Sequence, residues 1–208
     1  MVVAIVAPPV VTAVVAVATM AAIVAEDAVI EANYKHNKKN KDPDKYINNQ
    51  NDGDFHNWKF GVSTMDKNGC GVIAVYNLLR MRGETKNLAD VAYEIENNTG
   101  TLILGIFGTD PTHFGEYFRS KKIKVTEYTN LTKLEDAAKE MSTSQKIVLE
   151  IWNEPSILKG AHAVAVEKVD KIFYIYNGEY DGTLLPYNTL NEYISKSGGS
   201  LIIGYVVG

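Results

Sequence analysis

A single cysteine, Cys70, stands in a chain of 208 residues. That scarcity excludes an intramolecular disulfide framework and any zinc site built from several thiolates. Histidine is sparse as well. His36, His56, His113 and His162 are scattered, without the HxxxH or HExxH spacing that sets two imidazoles on one helix face. No metal site and no cofactor is therefore expected. Positive charge is not in excess: Lys plus Arg number 21 against 25 Asp plus Glu, a net charge of -4. No basic field exists to hold nucleic acid, which is not an expected partner. No Walker-type phosphate loop and no internal repeat is visible. What the chain does have is apolar residues, 46% of the total against 22% charged. That balance suits one sizeable core and excludes general disorder.

Residues 1–25 carry no charge and are mostly Val and Ala, interrupted by Pro8-Pro9. Val10 to Ala25 is slightly short of the roughly 20 residues that span a bilayer as a helix. A hydrophobic N-terminal helix acting as a membrane anchor is the first expectation. A secretory signal is the second, although the usual basic beginning is missing. A buried Ala/Val helix is the third. The protein is accordingly expected to be membrane-associated or exported. Residues 26–54 turn sharply polar, with Asn37-Lys38-Lys39-Asn40-Lys41, Asp42-Pro43-Asp44 and Asn48-Asn49-Gln50-Asn51-Asp52. That composition predicts a solvated linker or an arm resembling a pro-segment.

Residues 55–208 read as the folded domain. Cys70, Ile73, Ala74, Asn77, Leu78 and Met81 form one stripe at a helical period, predicting a helix over 70–81. Further helices are predicted over 88–97, from Asp110-Pro111 to about Arg119, and over 131–141, the last with Thr132 as its cap. The pattern then changes to β-branched and aromatic runs at 147–152, 161–169, 171–177 and 201–207. Helices first and strands later predict an α+β domain with helices packed on an antiparallel sheet.

Three features carry chemistry. In Asn68-Gly69-Cys70-Gly71 the cysteine begins an apolar helix, where free amides and the helix dipole favour the thiolate. The flanking glycines would let a substrate carbonyl approach. In Gly160-Ala161-His162-Ala163-Val164 a lone histidine starts an otherwise apolar strand. The following strand ends in Tyr176-Asn177-Gly178. A hairpin turning near Asp170 brings Asn177 nearly opposite His162, where its side-chain carbonyl can accept from an imidazole N–H and fix the tautomer. Each residue also has an ordinary reading: a buried thiol, a core histidine, a turn asparagine.

The ordered set Gly-Cys-Gly, Gly-Ala-His-Ala-Val and Tyr-Asn-Gly, spread over Trp58 to Gly208, resembles the papain-like cysteine peptidases. The closest likeness is to the bacterial group that trims double-glycine leaders from bacteriocins. The resemblance implies a papain-like fold and hydrolysis of a peptide or protein substrate. It implies Cys70 as nucleophile, His162 paired with it as an imidazolium that then protonates the departing amine, and Asn177 as the residue that orients the imidazole. It also implies an oxyanion hole completed by a Gln about six residues before the cysteine. That position is Thr64, whose hydroxyl has a shorter reach, and Asn68 is another possible donor. Acyl transfer or amide hydrolysis on the same scaffold, and a papain-like binding module without catalysis, are the competing expectations.

Overall fold

The computed structural model describes residues 25–98, 108–153 and 160–208. The expected membrane or signal helix lies, but for Ala25, outside the described residues. Among the described residues no helix is long and apolar enough to cross a membrane.

The domain is α+β. A helix over 25–37 (α1) and a 3-10 turn at Gly53–Asn57 come first. A small hairpin, β1 (Lys59–Phe60) with β2 (Ser63–Thr64), leads into the short α2 (Met65–Asn68). Then follow α3 (Cys70–Met81), α4 (Leu88–Asn98), α5 (Phe114–Ser120), β3 (Val125–Tyr128) and α6 (Leu131–Glu140). The C-terminal part holds β4 (Lys146–Trp152), β5 (Ala161–Val169), β6 (Ile172–Tyr176), β7 (Pro186–Tyr187), α7 (Leu190–Lys196) and β8 (Ser200–Val207). Six strands form one antiparallel sheet in the order β3-β8-β4-β5-β6-β7.

Strand alternation sorts the sheet into two faces. Val148, Ala163, Ala165 and Tyr205 pack with Val72, Ile73, Val75 and Tyr76 of α3. Leu149, Ile151, Val164 and Val166 pack with Leu134 and Ala138 of α6 and Leu190 and Tyr193 of α7. The alanines of β5 are small on the face where α3 lies, so the helix can approach the strand closely. Each buried Val or Leu stabilises the fold by roughly 1.5–3 kcal/mol. The predicted single stripe on α3 is only part of the pattern: Gly71 through Leu79 are all buried. A helix covered all round in this way sits between layers instead of on a surface. It ends where Gly83, at φ 79°, takes the left-handed conformation that terminates helices.

Two local expectations are corrected. The cap of α6 is Asn130, whose side chain accepts from the Lys133 amide, in place of Thr132. The helix expected from Asp110 starts at Phe114. Asp110 Oδ1 instead accepts from the Thr112 amide at 2.9 Å, closing a turn before the helix.

The expectation of a solvated linker over 26–54 is also corrected. Asn33 Nδ2 donates to Gly61 O (2.8 Å) and to Glu96 Oε1 (3.0 Å). Asn37 pairs with both backbone groups of Lys59, donating to its carbonyl and accepting from its amide, each at 2.8 Å. Ile47 is 4% exposed and joins the α3 core. The buried side chain of Asn77 bonds both its amide and its carbonyl, each at 2.8 Å. These asparagines satisfy backbone groups that lack a ladder or helix partner, so polar composition here marks docking onto the domain.

Candidate active site

Cys70 is the first residue of α3, directly after the short α2. Its flanking glycines are required by the protein's own packing. A Cβ on Gly69 would overlap the Met65 side chain, and one on Gly71 would overlap Thr109 Oγ1 and the Phe114 ring. The close approach expected of a substrate is thus made by neighbouring side chains. Cys70 is partly buried. Burial pushes the thiol up, and the backbone amides of Ala163, Gly71 and Cys70 itself pull it partly back. The helix start therefore favours the thiolate as predicted, but desolvation is the larger effect.

His162 lies one residue from that Ala163 amide, so the thiol and the imidazole belong to the same end of β5. The β5–β6 register runs from Val169↔Ile172 to Ala165↔Tyr176 and stops there. Extended, it would set His162 two residues away from Asn177, so the two are not directly opposite. They meet beyond the end of the ladder: His162 Nε2 is 2.6 Å from the backbone oxygen of Asn177. A carbonyl only accepts, so Nε2 carries the proton and Nδ1 is left as the basic nitrogen of the neutral ring. Burial pushes the imidazole down, while the Asn177 carbonyl and the Glu150 carboxyl pull it up. A raised thiol and a lowered imidazole both shift the pair toward its neutral form.

Asn177 is buried and does not orient the imidazole through its side chain, as the resemblance implies. Its Oδ1 accepts from the Gln50 amide at 2.9 Å, and its Nδ2 donates to Gln50 Oε1 at 2.9 Å. Its φ of 63° is left-handed, a conformation asparagine tolerates better than most residues. That conformation and the Gln50 pair account for the residue type. Gln50 Nε2 also donates to the Asp66 carbonyl at 3.1 Å, four residues before Cys70. Gln50 thus ties both halves of the site together, and nothing in its polar surroundings signalled that role.

Thr64 precedes α2, and its side chain makes no capping hydrogen bond. Its Oγ1 is shielded from solvent and has no hydrogen-bond partner among the described residues. Asp66 is 6% exposed and pairs with His56 Nδ1 at 2.5 Å. His113 is half-buried and pairs with Asp110 at 3.0 Å.

One ionisable residue was missed. Glu150 is 3% exposed and stands directly across β4–β5 from Ala163. Its carboxyl is pushed well above its ordinary value, by burial first and then by the negative charge Cys70 would carry; His162 opposes this and Asp110 reinforces it. The available signal was one acid inside the apolar run Ile147-Val148-Leu149-Glu150-Ile151. Among the described residues no three His, Cys, Asp or Glu side chains group closely enough to hold a metal ion. No protein-family model matches the chain, and no curated protein is significantly similar to it.

Proposed function

We propose that the chain is a papain-like thiol hydrolase that cleaves a peptide bond through Cys70 and His162. The observation that carries this reading is the 2.6 Å bond from His162 Nε2 to the Asn177 carbonyl. It leaves Nδ1 as the base, at the end of β5 where the Ala163 amide meets the Cys70 sulfur. In this reading Nδ1 takes the thiol proton as the sulfur attacks the peptide carbonyl. The Cys70 amide donates to the tetrahedral oxyanion. Thr64, whose hydroxyl has no competing partner among the described residues, turns to supply the second donor. Collapse of the intermediate breaks the C–N bond, and the imidazolium returns its proton to the departing amine. Water, deprotonated by Nδ1, then hydrolyses the thioester. Shifts toward the neutral thiol and imidazole favour proton transfer that accompanies attack.

The test is mass spectrometry of the intact protein during incubation with activated peptide esters. An acyl adduct on Cys70, absent in Cys70→Ala, supports the reading. Binding with no adduct and no hydrolysis supports the second reading, a peptide-binding module without catalysis, which the raised thiol favours. In both readings residues 1–25 tether the domain to a membrane or direct its export. Loss of membrane recovery on deleting that segment tests the tether.

A further inference from the structure

The sequence sets asparagine before glycine at two places, Asn68-Gly69 and Asn177-Gly178. Such pairs are chemically labile. The glycine nitrogen can attack the asparagine side-chain carbonyl carbon, because no side chain on the glycine stands in the way. We propose that Asn177-Gly178 is a covalent modification site, kept unreactive by Gln50 and opened when the segment carrying Gln50 leaves the domain. The modification needs no peptidase reaction; only its consequence for Cys70 rests on the reading of Cys70 and His162 as the reactive pair.

The fold requires this labile pair and restrains it. Residue 178 has no room for a side chain: a Cβ there would lie 2.6 Å from Ile175 Cγ2 and 3.2 Å from the Tyr193 ring. Residue 177 takes a left-handed φ of 63°, which suits asparagine. Both polar atoms of the Asn177 side chain are engaged by Gln50. Oδ1 accepts from its amide and Nδ2 donates to its Oε1, each at 2.9 Å. Attack requires Cγ to swing over the Gly178 nitrogen, which breaks both bonds in a residue only 4% exposed. Gln50 is itself held at both ends of a short stretch. Its Nε2 donates to the Asp66 carbonyl at 3.1 Å, and three residues earlier Asn77 bonds the Ile47 amide and carbonyl. Asn48 and Asn49 between them are half-buried, and residues 38–52 form neither helix nor strand. Release of Gln50 therefore needs local opening only.

The chemistry balances with water as the sole co-reactant. The Gly178 nitrogen gives up its proton and bonds Cγ of Asn177; the Cγ–Nδ2 bond breaks and ammonia leaves. The product is a cyclic imide that includes the Asn177 backbone carbonyl. Water then opens the ring on one side or the other. Opening at Cγ gives aspartate, whose carboxylate has no proton to donate to Gln50 Oε1. Opening at the backbone carbon gives isoaspartate: the chain then runs through Cγ, and the former backbone carbonyl becomes a free carboxylate. That carbonyl is the group 2.6 Å from His162 Nε2. Conversion to isoaspartate thus puts an anion on the atoms that hold the imidazole and lengthens the chain beside them. Loss of Gln50 from its place leads in this way to a one-way change in how His162 is held.

The experiment is peptide mapping by mass spectrometry after incubation of the full chain at mildly alkaline pH under reducing conditions, with isoaspartate scored by enzymatic methylation. Mapping separates residue 177 from Asn68, and a synthetic peptide of residues 173–182 gives the unguarded rate. Asn177 in the unaltered protein is expected to convert about a hundredfold more slowly than in the peptide. Gln50→Ala removes the acceptor for Nδ2 and is expected to speed conversion by about tenfold. Gln50→Glu keeps that acceptor while losing the bond to Asp66, and is expected to convert as slowly as the unaltered protein. Equal rates in the unaltered protein and Gln50→Ala, or a peptide no faster than the protein, would overturn the proposal; fast conversion in Gln50→Glu would count against a guard acting through Nδ2. A second measurement covers a Gln50→Ala chain that fails to fold. In the unaltered protein, conversion is expected to rise with urea well before global unfolding, and a rise only at the global transition would contradict release of the Gln50 segment. Once converted, the protein is expected to show an altered rate of Cys70 alkylation near neutral pH, whereas Asn177→Gly, with no side-chain amide, keeps its rate through the same incubation. An unchanged rate in converted protein would contradict the link to His162. None of these readouts requires hydrolysis, so failure of the peptidase reading appears separately, as absence of an acyl adduct.

Discussion

On the face of the sheet covered by α6 and α7, β4 and β5 present Leu149, Ile151, Val164 and Val166 to Leu134, Ala138, Leu190 and Tyr193. On the face covered by α3, the same two strands present Glu150 and Ala163 near Cys70, with the buried Asn77 further along the helix. Behind α3, Glu96 of α4 is buried as well, at 4% exposure. The first face gains mainly apolar burial, with one buried acid, Glu135 of α6, whose Oε1 accepts from the Asn191 amide of α7. The second takes ionisable groups out of water, at a free-energy cost that hydrogen bonds only partly offset. Two faces of one sheet thus separate apolar packing from the candidate site. Locally unfavourable residues are expected to gather where a site requires them.

Several substitutions break or sharpen this division. Replacing the nucleophile, Cys70→Ala, is expected to lower peptide hydrolysis by roughly a thousandfold or more while the thermal unfolding curve hardly moves. Leu149→Ala on the opposite face should do the reverse. Leu149 is fully buried, and its truncation is expected to destabilise the fold by about 2–5 kcal/mol in urea titrations, with Cys70 alkylation unchanged below the transition.

The α3 side should also depend more strongly on pH. Glu96 Oε1 accepts from the Gly61 amide (2.6 Å) and from Asn33, but its Oε2 is buried with no hydrogen-bond partner among the described residues. Burial is the larger effect and raises the carboxyl from 4.5 to about 7. A raised acid is held more firmly protonated in the folded than in the unfolded state. Its contribution is therefore full below the unfolded value of 4.5 and is lost as pH rises from there through about 7. The loss is about 3 kcal/mol at roughly 1.4 kcal/mol per unit. Glu96→Gln should flatten that slope in unfolding measured from pH 4 to pH 8, with the variant the more stable at pH 8.

Thr64→Val separates a catalytic from a structural role. An unpartnered buried hydroxyl contributes nothing to the fold, so stability should hold or rise, while turnover falls by about a hundredfold. The smallest effect is expected at Asn177. Asn177→Gly keeps both the left-handed backbone and the carbonyl that holds His162, and removes only the Gln50 pair. It should leave Cys70 alkylation within about tenfold of the unaltered protein and cost about 1 kcal/mol of stability.

Much of the fold was legible because its elements follow simple periods. The helix at Cys70–Met81 and the strand at Ala161–Val169 occupy the predicted residues, and β4, β6 and β8 lie within a residue or so of theirs. The site was legible in part. Cys70 and His162 stand at the same end of β5, but the group that holds the imidazole is a backbone carbonyl, which no side-chain motif announces. Residues 26–54 were misread for a related reason. Asn33 and Asn37 bond backbone groups of residues far along the chain, and such bonds leave no periodic trace. Gln50 escaped notice in the same stretch, and Glu150 because one acid in a strand weighs little against five apolar neighbours.

The claim on which most depends is that His162 serves Cys70 as a base. Its most direct measurement is the second-order rate of Cys70 alkylation by iodoacetamide across pH 5 to 10, compared between the unaltered protein and His162→Ala. The account predicts faster reaction with the histidine present near neutral pH, and curves that converge once the thiol is ionised in both. Superimposed curves over the whole range would contradict it.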